Sequence, residues 1–145
     1  MQKIHIYGGY AGILPSFLLT LAIIYGAANG IPTDAPAAIL LAYSGMIIAF
    51  FGGAHWLPGI KAGNARQVAV AMGAPALSLV LFILAFLFWP SVSLLGMVLI
   101  FGVLYRADAV LLPEALAIDG YQAFRQRFTI GAGALLLVAA IAMIF

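Results

Sequence analysis

Residues 37–60 read AAILLAYSGMIIAFFGGAHWLPGI and contain no Asp, Glu, Lys or Arg. A helix of about 20 apolar residues crosses the hydrocarbon core of a bilayer, so this run is long enough for one span. Four further apolar runs cover residues 7–28, 68–89, 92–112 and 128–145. The sequence therefore predicts an all-α integral membrane bundle of five transmembrane helices, forming a single domain over residues 1–145.

The composition excludes a soluble globular domain. Of the 145 residues, 66% are hydrophobic and 7% are charged, against about 25% charged in an ordinary soluble domain. The net charge of +2 comes from six Lys and Arg and four Asp and Glu. These are too few for a nucleic-acid surface, so the expected partner is the lipid bilayer and no nucleic acid. The sequence has no Cys, which excludes disulfides and thiolate metal sites.

All six basic residues lie on one side of this predicted topology. They are Lys3, Lys61, Arg66, Arg106, Arg125 and Arg127. Because cytoplasmic loops of membrane proteins are enriched in Lys and Arg, the N-terminus is predicted to lie inside and the C-terminus outside. A four-span alternative, with one apolar run lying on the membrane surface, would divide these charges between the two faces.

Residues 113–127, between the last two spans, are predicted to form an interfacial segment. They combine polar residues with apolar ones at helical spacing, as in helices that lie in the plane of a membrane surface. Tyr121 and Phe124 are expected to face the acyl chains, and Arg125 and Arg127 the anionic headgroups.

Small residues are predicted to mark the contacts between helices, because helices in lipid associate through close van der Waals packing. Gly45, Ala49 and Gly53 recur every four residues in the second span and form a helix-packing stripe. We interpret this stripe as a contact within one chain, and a dimerisation motif is the alternative. Pro15 and Pro75 fall inside predicted spans, where proline kinks a helix.

The ionisable side chains gather near the predicted inner ends of the spans. At about 1.5 Å per residue, His55 lies about 27 Å from Ala37, near the inner surface of a core about 30 Å thick. The candidate polar cluster at this level comprises His55, Trp56, Arg106, Asp108, Tyr121 and Arg125. A partly buried charge needs a partner. Asp108 is therefore the expected acceptor, with Arg125 or His55 as its favoured donor.

Two interpretations of this cluster stay open. Histidine changes its charge near neutral pH, so a His55–Asp108 pair would handle protons or bind a lipid headgroup. In the other interpretation these groups cap helix ends at the interface. No metal or cofactor is expected, because His5 and His55 are far apart with no carboxylate at helical spacing, and haem ligation by the two is the weak alternative.

Several motifs together resemble those of one family. They are residues 12–17 (GILPSF), 51–56 (FGGAHW) and 125–129 (RQRFT). The pattern resembles the transmembrane protein 69-like family, which is built on the domain of unknown function 3429, and it covers essentially the whole chain. The resemblance implies about five helices in a bacterial inner membrane or in mitochondria, and no settled activity. Leu57 and Pro58 follow the second motif here and are predicted to shorten the second span.

The favoured functional hypothesis is a non-catalytic accessory or assembly subunit that docks to a larger membrane complex. The chain has almost no soluble mass and no recognisable cofactor site. The alternative is a small-molecule or lipid binder or carrier that uses the polar cluster. A membrane enzyme, with His55 as acid or base and Asp108 orienting it, ranks third because enzymes display denser polar constellations. The predicted location is the bacterial inner (cytoplasmic) membrane, or the mitochondrial inner membrane in a eukaryote.

Overall fold

A computed structural model of the chain describes residues 9–112 and 120–145. Within these ranges the helices are α1 (Leu14–Asn29), α2 (Asp34–Gly53), α3 (Trp56–Ala62), α4 (Ala65–Leu87), α5 (Pro90–Leu111) and α6 (Tyr121–Ala142). The stretches long and apolar enough to cross a membrane are Gly9–Asn29, Asp34–Ala62, Ala65–Leu87, Pro90–Leu111 and Tyr121–Ala142. The prediction of an all-helical chain with five candidate membrane spans is confirmed.

Glycine, asparagine and proline set several helix ends. Gly30 and Gly63 end α1 and α3 with φ angles of +66° and +61°, a conformation that costs little only without a Cβ atom. The Asn64 side chain caps α4 by accepting a hydrogen bond from the backbone N–H of Arg66 at 3.1 Å. Pro90 opens α5, where its missing N–H would have had no helical partner.

The second apolar run is broken between α2 and α3. Pro58 has no N–H to donate to the carbonyl of Ala54, four residues earlier, and the preceding Gly52 and Gly53 have low helix propensity. At this break the N–H of His55 bonds to the carbonyl of Gly52, three residues earlier, at 3.0 Å. An α-helix joins residues four apart. α2 ends at Gly53, before the helix-breaking Pro58, whereas the stretch long and apolar enough to cross a membrane continues to Ala62. His55 occupies the resulting bend.

The spanning helices close into a ring. α1 packs against α2 and α6, α4 packs against α2 and α5, and α5 packs against α6. A further contact between α2 and α5 crosses the middle of the ring, and α3 lies against α4. The core where the helices meet includes Ile23, Leu40, Met97, Phe101 and Leu136. α2 and α5 are therefore the central elements of the bundle.

The two prolines predicted to kink spans lie at different places in their helices. Pro15 is the second residue of α1 and follows a turn at residues 12–13 that interrupts the first apolar run. The carbonyl of Gly12 at this turn accepts a hydrogen bond of 2.6 Å from the hydroxyl of Tyr43. Pro75 lies inside α4, and its carbonyl accepts a hydrogen bond of 2.8 Å from Ser78. Side chains thus satisfy backbone groups beside both prolines.

The last helix begins at Tyr121, whereas the sequence predicted an interfacial segment as far as residue 127. Phe124, Arg125 and Phe128 are buried, so this part of the chain lies inside the bundle. Arg125 is expected from the sequence to meet anionic headgroups, but it is 0% exposed. Its charge is compensated within the bundle by Asp108, one of the two pairings that the sequence favoured. Residues 113–119 of the predicted segment lie outside the described residues.

The predicted packing stripe divides between two faces of α2. Gly45 faces α4, while Ala49 and Gly53 are exposed. Gly52, which is not in the predicted stripe, also faces α4: a Cβ atom built there would lie 3.4 Å from Cδ of Pro75. Each step of four residues rotates by about 40° around a helix, whereas seven residues return within about 20° of the starting face. A stripe with a period of four therefore drifts away from the contact.

Gly59 provides a test of the packing between α3 and α4. A Cβ atom at this position would lie 2.9 Å from Cβ of Gln67 and 3.1 Å from the backbone nitrogen of Val68. We expect Gly59→Ala to lower the free energy of unfolding by about 1–3 kcal/mol, as overpacking does. Thermal unfolding of the purified protein in detergent, followed by circular dichroism, measures the change.

Gly102→Ala is the matched control, because no atom lies within 4 Å of a Cβ built on Gly102 in α5. Alanine favours a helix over glycine by about 1 kcal/mol, so this variant is expected to be as stable as the wild type or slightly more so. Equal unfolding midpoints for the two variants would contradict the close approach of α3 to α4.

Candidate functional site

Three ionisable side chains from separate parts of the chain meet at one end of the bundle. His55 lies at the bend after α2, Asp108 in the last turn of α5, and Arg125 near the start of α6. Oδ1 of Asp108 lies 2.8 Å from Nε2 of His55, and Oδ2 accepts a hydrogen bond of 2.5 Å from Nε of Arg125. His55 and Arg125 are 0% exposed and Asp108 is 4% exposed. We call these three residues the buried triad.

Helical periodicity explains why Asp108 faces inward. Phe101, Leu104 and Asp108 are spaced by three and four residues, so they share one face of α5, and all three are buried. Arg106 is offset from Asp108 by two residues, about 200° around the helix, and it is exposed. The two charges of this segment thus have separate environments, one inside the bundle and one on its surface.

Arg125 is held on three sides. In addition to the bond from Nε to Asp108, its Nη1 donates a hydrogen bond of 2.8 Å to the hydroxyl of Thr129. Its Cζ atom lies 3.7 Å from the ring centroid of Phe51 on α2, within the range of a cation–π interaction. The guanidinium group is therefore enclosed by a carboxylate, a hydroxyl and an aromatic face.

The buried triad carries no net charge when His55 is neutral, because one carboxylate then balances one guanidinium. Nε2 faces the carboxylate, so it is the nitrogen that carries the proton in this state, and Nδ1 keeps its lone pair. Nδ1 of His55 and Nη2 of Arg125 are buried and have no hydrogen-bond partner among the described residues. The arrangement is a compensated ion pair with one basic nitrogen beside it.

The other residues of the predicted cluster lie outside the buried triad. Trp56 begins α3 and is exposed, as is Arg106. Tyr121 is half-buried at the start of α6, with its ring centroid 6.1 Å from that of Phe124. The structure thus brings together three of the six predicted residues, and Asp108 contacts both of the donors that the sequence favoured.

Sequence reasoning missed three residues around the triad. Phe51 and Thr129 contact Arg125 directly, and the side-chain amide of Gln67 donates a hydrogen bond to the backbone carbonyl of Leu111 at the end of α5. The spacing of four between Arg125 and Thr129 is a signal that helical geometry offers. Phe51 opens the motif at residues 51–56, but nothing in that motif indicates its contact with Arg125. Gln67 carries no signal, because its contact joins distant parts of the chain.

The other kinds of site to consider are a metal-binding cluster and a cavity, and neither offers as many functional side chains as the buried triad. Among residues 9–112 and 120–145, no group of three or more His, Asp or Glu side chains converges as a metal site would require. A cavity of about 180 Å³ opens at the opposite end of the bundle and is lined by Asp34, Ala38, Leu41, Ala85, Phe86 and Pro90. Asp34 is the one charged residue in this lining, so the buried triad is the stronger candidate site.

A double-mutant cycle tests the ion pair of the triad. Asp108→Asn leaves the Arg125 charge buried without its carboxylate, and we expect a loss of about 3–5 kcal/mol in the free energy of unfolding. Arg125→Met leaves Asp108 uncompensated and should cost a similar amount. The double variant should lose much less than the two single losses added together, because neither uncompensated charge is then present. Denaturant unfolding in detergent measures all three.

Arg106→Gln is the control for this cycle, since the residue is exposed and is absent from the ion pairs of the described residues. A change within about 0.5 kcal/mol is expected, as for most surface substitutions. Strictly additive losses in the double variant would show that Asp108 and Arg125 do not depend on each other.

Comparison with known proteins identifies a family without an activity. A family model described as "Protein of unknown function (DUF3429)" matches residues 1–141, which include all three residues of the buried triad. Comparison with curated proteins and with solved structures gives no match. The name transmembrane protein 69-like, suggested by the motifs, stays a prediction. The chain belongs to the family of proteins of unknown function DUF3429.

Proposed function

We propose that the protein is a non-catalytic accessory or assembly subunit that docks onto a larger membrane complex through one exposed face of α2. Ala42, Met46, Ala49 and Gly53 form this face, and we call it the docking stripe. Two observations support the proposal. The polar side chains of the buried triad bind one another, and the small residues of the docking stripe are exposed.

The polar groups of the buried triad serve the bundle itself. Both oxygens of Asp108 are taken, one by His55 and one by Arg125, and these contacts tie the bend after α2 to α5 and α6. A reactive site needs groups that meet a substrate, usually several of them in a cleft. Burial of all three side chains favours a structural role for them over catalysis.

The docking stripe is the observation that carries the proposal. Its residues are spaced by four, three and four positions, which places them on one helix face, and all are exposed. Three of the four are Ala or Gly, and a Cβ built on Gly53 meets no other described part of the chain within 4 Å. Small residues allow close packing between helices in lipid, whereas a face that contacts only lipid gains nothing from them. A helix of a partner protein is the occupant that fits.

We propose further that the protein lies in a bacterial inner membrane, or in the mitochondrial inner membrane of a eukaryote, with its N-terminus inside. The exposed cations of the described residues lie at the triad end of the bundle: Lys61, Arg66, Arg106 and Arg127. Residues 29–36 and 88–91, at the opposite end, contain no Lys or Arg. This asymmetry is typical of a triad end that faces the cytoplasm or matrix.

Fusions to alkaline phosphatase, which is active only outside the cytoplasm, test this orientation in bacterial cells. We expect high activity for a fusion after Phe145 and low activity for a fusion after Gly63, in the turn between α3 and α4. Immunoblots that show equal amounts of both fusions provide the control. The opposite pattern of activity would reverse the proposed orientation.

Purification in a gentle detergent, followed by mass spectrometry, tests the docking stripe. Wild-type protein is expected to carry a stoichiometric membrane-protein partner, and Ala49→Leu and Gly53→Leu are expected to lose at least 90% of it, because the added side chains hold the partner helix away. Gly102→Leu is the matched control, since Gly102 is also an exposed helical glycine with open space around it.

Two results would contradict the proposal. Equal retention of the partner by all variants would place the docking surface elsewhere. Wild-type protein that purifies alone with one defined small molecule would favour the alternative function, a lipid or small-molecule binder. Nδ1 of His55 and Nη2 of Arg125, which have no hydrogen-bond partner among the described residues, favour this alternative. His55→Ala should then abolish the co-purification of the small molecule.

A further inference from the structure

The short helix α3 lies beyond the end of its span. α2 has 20 residues and is about 30 Å long, which equals the thickness of the hydrocarbon core. The chain bends at residues 54–55, continues through the seven residues of α3, and turns back at Gly63 and Asn64 into α4. Because α2 alone is long enough to cross the core, we place α3 at the boundary between lipid and water at the triad end.

The two sides of α3 have different environments. Gly59 is buried against Gln67 and Val68 of α4. Trp56 is 44% exposed, and Leu57 and Ile60 are more than half exposed. Tryptophan prefers the headgroup level of a membrane, and helices that lie in the interface insert such apolar side chains into the acyl boundary. The exposed side of α3 thus has the character of an interfacial membrane helix.

Two exposed cations flank the turn that follows α3. Lys61 lies in the last turn of α3 and Arg66 in the first turn of α4, and both are exposed. Neither is in the ion pairs of the described residues, where Asp108 is engaged by His55 and Arg125. Asp34, the other acidic residue in the described ranges, begins α2 at the opposite end. The described surface beside α3 is therefore positively charged.

We propose that α3 and the first turn of α4 form a binding site for anionic phospholipid. Trp56, Leu57 and Ile60 enter the acyl boundary, and Lys61 and Arg66 bind the headgroup phosphate. Residues 56–66 are then an interfacial element that the sequence did not predict. Since His55 immediately precedes α3, the bound lipid also steadies the backbone that carries the histidine of the buried triad.

Quenching of Trp56 fluorescence by brominated lipid tests the site. The sequence has two Trp residues, so Trp89→Phe leaves Trp56 as the one reporter. The protein is reconstituted in phosphatidylcholine with increasing fractions of brominated phosphatidylglycerol, and the quenching curve gives the relative affinity of the two lipids at α3. Phosphatidylglycerol should be preferred. Lys61→Gln and Arg66→Gln should each reduce that preference about fivefold, the effect of one cation at an anionic surface.

The matched control is the pair Arg106→Gln and Arg127→Gln, which removes two exposed cations of the same end from α5 and α6. These changes should alter the preference at Trp56 by less than twofold. In the reverse background, Trp56→Phe, the remaining Trp89 at the opposite end should report no preference for phosphatidylglycerol. The proposal would be overturned by a quenching curve in which Trp56 shows no preference for phosphatidylglycerol over phosphatidylcholine. It would also be overturned if the changes at Lys61 and Arg66 reduced the preference no more than the changes at Arg106 and Arg127.

Discussion

The carboxylate of Asp108, shared between His55 and Arg125, is the interaction on which the rest of this bundle depends. A guanidinium buried in an apolar bundle costs several kcal/mol unless a carboxylate compensates it. The start of α6 is therefore bound to the end of α5, and both are bound to the bend after α2. Because the charges are balanced inside the protein, helix ends that carry ionisable groups pack directly against one another.

The bend after α2 connects this interaction to the membrane surface. Pro58 and the glycine pair before it end the span at Gly53, which has two structural consequences. His55 turns inward to Asp108, and the seven residues of α3 leave the axis of the span and pack on α4. One local break in a helix thus supplies a buried histidine on one side and an exposed, cation-flanked surface on the other.

Two faces of α2 use small residues differently. Gly45 and Gly52 face α4 within the bundle, whereas Ala49 and Gly53 face outward. A helix that packs closely on its inner side needs small residues only there, so the outer ones call for a separate explanation. Membership of a family of unknown function supplies none. The proposed partner helix on the outer face would account for them in the same physical terms that explain the inner contact.

The sequence by itself determined the class of protein, the number of candidate spans and the break before Pro58, and it favoured Arg125 or His55 as the partner of Asp108. Those features follow from local composition, from the length needed to cross a bilayer and from the cost of an unpaired charge. Only the tertiary structure decided that Arg125 lies inside a helix of the bundle, that Gly52 and not Gly53 contacts α4, and that Phe51 covers the guanidinium. Such features depend on how each helix is rotated about its axis and on which distant helix lies against it, and neither quantity is contained in a window of sequence.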